Sequence, residues 1–79
     1  MAEQGNPDAQ SILAYMYGRG EGVPQDYVAA HMWSNLAGAQ GNIGAVVVRD
    51  SVAEEMTAAQ IAQAQRLARE WLARRPTKQ

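Results

Sequence analysis

The chain has 79 residues, with seven basic side chains against eight acidic ones, a net charge of −1, one histidine and no cysteine. A core of this length buries about 60 to 65% of the unfolded chain's surface, which allows one domain at most. The charge balance gives no pull toward nucleic acid or an anionic membrane, the missing thiols exclude disulfides and thiolate metal sites, and a zinc site with one imidazole would have to rely on carboxylates. No apolar run is long enough for a membrane span or a signal-peptide core, so the expectation is a soluble chain of undetermined compartment with secretion left open.

The first helix is expected over 7–17. Asn6 can cap free amides, Pro7 fits the first turn, Asp8 suits the positive end of the dipole, and Ala9, Ile12, Leu13, Met16 and Tyr17 follow one apolar stripe. Gly18, Gly20 and Gly22 then break the pattern in a loop over 18–24, and Pro24 leads into a second helix over 25–40 with the stripe Tyr27, Ala30, Trp33, Leu36 and Ala37. Gly41 ends that helix, and Asn42 caps a third over 43–56 bearing Ile43, Val46, Val47, Val52 and Met56. The β-branched run Val46-Val47-Val48 argues for a strand, but the flanking caps, Ala45 and the segment's length outweigh it. Thr57 and Gln60 have capping-box spacing at the head of a fourth helix over 58–74, whose stripe is Ile61, Ala64, Ala68, Trp71 and Leu72. Residues 76–79 should fray.

Gln4-Gly5-Asn6 returns as Gln40-Gly41-Asn42 and Ala9 as Ala45, all at an offset of 36. A period of that length in helical segments indicates stacked helix pairs, each unable to bury its apolar face alone. The expected fold is therefore all-α, a solenoid of about four antiparallel helices. Five of the seven cations, Arg66, Arg69, Arg74, Arg75 and Lys78, lie in the last segment. There they complement the dipole of a solvated helix, with Arg66/Glu70 and Glu70/Arg74 at i,i+4, rather than forming a nucleic-acid patch.

With these residues in place, the chain resembles the Sel1-like repeat family, relatives of the tetratricopeptide repeats. Ala9, Leu13, Ala14 and Tyr17 occupy the family's first-helix positions, with Ala14 in place of the usual glycine; Gly20, Gly22, Val23 and Asp26 match its loop; and Ala30, Trp33, Ala37 and Gly41 match its second helix. The resemblance makes 1–41 one repeat unit and 42–75 a degenerate capping helix pair, since Glu54-Glu55-Met56-Thr57 replaces the second glycine-rich loop. Gly38, where the family commonly has alanine, costs about 1 kcal/mol of helix propensity and implies close packing of another helix.

Chemistry-bearing constellations are weak. His31, Ser34 and Asn35 share one helix and are expected on an exposed face, without the convergent walls or oxyanion donors that nucleophilic catalysis requires. Glu54 and Glu55 would point about 100° apart on a helix, and neither they nor Asp50 converge on a substrate. The Gly18-to-Gly22 loop follows a helix and lacks the lysine of a phosphate-binding loop. No catalytic residue, cofactor or metal is expected.

The resemblance implies a non-catalytic scaffold for protein contacts in bacterial signalling, envelope and secretion-linked complexes, with a protein partner of unstated identity. It also places the first helix of each unit on the inner surface of the superhelix, which makes Ser11, Tyr15, Arg19, Val48 and Glu55 the expected contact residues. Alternatives are a purely structural cap of a longer array and, remotely, a hydrolase of the cysteine-dependent kind found in some members. Two units fall short of the three usually needed for a stable stack, so either further repeats or a second copy, as a homodimer, should cover the N-terminal face.

Overall fold

The two Gln-Gly-Asn fragments fold alike. Gly5 and Gly41 both take positive φ, 86° and 95°, which the turn before each helix demands. Asn6 and Asn42 then cap identically: each side-chain oxygen accepts from the amide three residues on, Ala9 at 3.0 Å and Ala45 at 2.9 Å. The 36-residue offset is therefore a repeated backbone device as well as a repeated word.

A computed structural model describes residues 2–74. Met1, Arg75 and the tail 76–79 lie outside the described residues. After a 3₁₀ turn at Ala2–Gln4, four α-helices follow: α1 (Pro7–Arg19), α2 (Tyr27–Ala39), α3 (Ile43–Ala53) and α4 (Ala58–Arg74). The described chain is all-helical, an arrangement compatible with a solenoid.

The helix ends differ from the sequence expectation where side chains choose among caps. α1 passes through Gly18 and stops at Gly20, whose left-handed conformation closes the helix onto the Met16 carbonyl. α2 starts at Tyr27, because the Asp26 carboxylate accepts from the Ala29 amide at 3.1 Å and so occupies the cap position. α3 ends at Ala53, leaving Glu54 and Glu55 in the turn beyond it instead of on a helix. At the head of α4 the Thr57 amide donates to Gln60 Oε1 at 2.9 Å, and the Gln60 amide to Thr57 Oγ1 at 3.1 Å, a reciprocal capping box.

α2 is the hub. It packs against α1, α3 and α4, and α4 has α2 as its principal neighbour. Ala30, Trp33, Leu36 and Ala37 of α2 are all buried, as their spacing predicts. The buried face is lined with small residues, Ala14, Ala45, Ala64 and Ala68, which let the helix axes approach closely.

Four stripe residues lie elsewhere. Ile12 is 62% exposed, Ile43 79%, Val47 63% and Leu72 50%. In α1 the interior position belongs to Gln10, fully buried, whose Nε2 donates to the Ala2 carbonyl at 3.2 Å while its Oε1 accepts from Gln40 Nε2 at 3.0 Å. Both ends of that amide are paired, so it can stand in the core at little desolvation cost.

Candidate protein-contact groove

α1 and α3 lie side by side and parallel. At their N-terminal ends Asn42 Nδ2 donates to Asp8 Oδ1 at 3.2 Å. Toward their C-terminal ends, a Cβ placed on Gly18 would sit 3.3 Å from Val52 Cγ1, so the missing side chain lets the helices close up. Between them runs an open cleft of about 440 Å³. Its walls are mostly apolar, with Tyr15, Tyr27, Val47, Val48 and Val52; Ser51 adds a hydroxyl, and Arg19, Glu54 and Glu55 supply the charges.

Four of the five residues expected at a contact surface meet here: Tyr15, Arg19, Val48 and Glu55. Ser11, half-buried one turn before Tyr15, does not line the cleft. Sequence reasoning missed Val47, Ser51 and Glu54. Ser51 lies three residues after Val48 and four before Glu55, and Val47 four before Ser51, so helical spacing from the expected residues would have found both. Val47 had instead been assigned to the buried stripe, yet it is 63% exposed.

Arg19 is held rather than free. Its guanidinium lies 5.5 Å from the centre of the Tyr15 ring, and its Nε donates to Glu21 Oε2 at 2.9 Å. The hydrogen bond to Glu21, followed by the fields of Tyr15 and Glu21, raises its pKa above the ordinary arginine value, so it remains a cation.

His31 and Ser34, expected on an exposed face, are interior. His31 is 4% exposed, and the Ser34 hydroxyl is directed at the carbonyls of Ala30 and His31, at 2.7 and 3.1 Å. Burial, then the positive charge of Arg49, hold the imidazole below its ordinary pKa, while Asp50 and a backbone hydrogen bond act against them. Its Nδ1 has no hydrogen-bond partner. Among the described residues no group of His, Asp and Glu is arranged to hold a metal ion, and no helix is long and apolar enough to cross a membrane.

A family model, the Sel1 repeat, matches residues 7–42, which span α1, the glycine-bearing loop, α2 and the turn to the Asn42 cap. No curated protein and no solved structure matches the chain. Sel1 repeats are generally interaction modules. Residues 7–42 therefore match a Sel1 repeat, and in this chain they are joined to the two further helices α3 and α4.

Proposed function

We propose that the chain is a non-catalytic protein-contact module whose working surface is the groove between α1 and α3. The carrying observation is where the apolar surface lies. Of the exposed large hydrophobics among the described residues, Tyr15 of α1 and Val47 of α3 line the cleft, Ile12 and Ile43 lie one turn before them on the same helices, and Leu72 is on α4. Isolated exposed aliphatics need no explanation, but a concentration along two neighbouring helices flanking a cleft has the composition of a binding surface. Tyr15 gives the groove a rigid aromatic edge, oriented by Arg19, of the type that anchors interfaces.

A pull-down with the domain tests this when run beside Tyr15→Ala and Leu72→Ser variants of verified helicity. The proposal expects partner capture to fall with Tyr15→Ala and persist with Leu72→Ser. Equal capture by the wild type and Tyr15→Ala would remove the groove from consideration.

A further inference from the structure

Resting on the groove proposed above, we infer that its occupant is a segment of another protein that carries a lysine or arginine beside an aliphatic or aromatic side chain, with the cation seated against Glu54 and Glu55. The first ground is helix direction. Because α1 and α3 run parallel, the negative ends of both dipoles emerge at the same end of the groove. A helix end of this kind ordinarily carries a cation in its last turn. α3 has none there, and its chain continues straight into Glu54 and Glu55, both exposed and neither in an ion pair among the described residues.

The neighbouring side chains do not compensate. Arg19 is engaged by Glu21. The positive end of α2 starts at the same end of the molecule, where the Asp26 amide donates to the Tyr17 carbonyl, but the Asp26 carboxylate already occupies it. Among the described residues placed at this end, one cation, Arg19, thus stands with four carboxylates, Glu21, Asp26, Glu54 and Glu55. Farther along, the walls are uncharged, with Tyr15, Val47 and Val48.

This asymmetry selects an occupant with an apolar anchor and a cationic end. An acidic segment, a nucleic acid or an anionic lipid surface would bring like charge to the groove mouth. Glu54 and Glu55 stand in the turn between the end of α3 and the capping box of α4, both exposed at the groove mouth, where a cation of the occupant would meet them.

The test is selection from a random dodecapeptide display library on the intact chain, with counter-selection on the Tyr15→Ala/Val47→Ser variant. The expected result is groove-dependent clones that place Lys or Arg next to Leu, Ile or Phe. A synthetic consensus peptide should then bind Glu54→Gln/Glu55→Gln about tenfold more weakly and lose affinity as salt rises, while that variant melts no lower than the wild type. Groove-dependent clones with no basic residue, or unchanged affinity in the glutamine variant, would overturn the inference and leave the groove standing. Recovery of no groove-dependent clone would remove the groove itself, and a dimer abolished by Val47→Ser would show that a second copy is the occupant instead.

Discussion

Trp33 of α2 and Trp71 of α4 meet edge to face, their ring centres 6.0 Å apart and their planes at 73°. Since α2 is the principal neighbour of α4, this aromatic contact and the adjacent Ala68 are central to holding the last helix in place. Trp71→Ala should cost about 2 to 3 kcal/mol, combining partial loss of a half-buried indole with the edge-to-face term. A small domain has about 5 kcal/mol in all, so the loss should appear as faster amide exchange across α4 with α1 and α2 still protected. Uniform loss of protection would show that α4 is integral to a single cooperative unit.

The paired caps allow an internal comparison. Asn6→Ala and Asn42→Ala should each cost about 1 kcal/mol for the lost bond to Ala9 or Ala45. Asn42→Ala should cost more, by roughly 0.5 kcal/mol, because Asn42 also donates to Asp8 across the α1–α3 contact. Urea denaturation of the two variants gives the order directly.

These caps were legible in the sequence, as were Thr57 with Gln60 and the stripe of α2 from Ala30 to Ala37. A cap is a local device, fixed by residues three positions apart, and α2 is covered by neighbours on several sides, so its stripe is buried beyond the first turn, where Tyr27 faces the cleft. α1 and α3 were harder. Their apolar residues wrap around more of the helix, and periodicity cannot tell which edge another helix will cover; Ile12, Ile43 and Val47 ended outside. Gln10 was invisible for the opposite reason, since its place in the core depends on the Ala2 carbonyl and the Gln40 amide, both brought to it only by the tertiary fold. The groove was half legible: register gave Tyr15, Arg19, Val48 and Glu55, whereas Glu54 joined them only because α3 stops at Ala53.

His31 should make stability pH-dependent. Burial and Arg49 depress the folded pKa below the ordinary value of 6.5, outweighing Asp50 and a backbone hydrogen bond. Well above 6.5 the group is neutral in both states and costs nothing. As pH falls from 6.5 toward the lower folded value, the unfolded chain takes up a proton that the folded chain resists, and stability declines. It is the only histidine, so His31→Gln should flatten that slope in urea titrations between about pH 6.5 and 5. An unchanged slope would assign the acid sensitivity to carboxylates.

At Gly38 the α2–α3 contact leaves no room. A Cβ there would lie 3.1 Å from Val46 Cγ2, and valine in a helix has essentially one rotamer, so it cannot swing aside. Gly38→Ala should therefore fail to deliver its helix-propensity gain of up to about 1 kcal/mol in the wild type, and deliver it once Val46→Ala has cleared the space. A double-mutant cycle measures this, with an expected coupling of about 1 kcal/mol. Zero coupling would mean that the helices separate easily at this point.

The central claim is that the groove between α1 and α3 is where this chain meets its partner. The most direct measurement is amide chemical-shift mapping of the labelled chain on titration with a bound peptide or partner fragment. The account predicts that the perturbed residues cluster at Tyr15, Gly18, Val47 and Ser51. Shifts gathered instead along the α2–α4 cleft, at Leu36, Gln65 and Leu72, would contradict it.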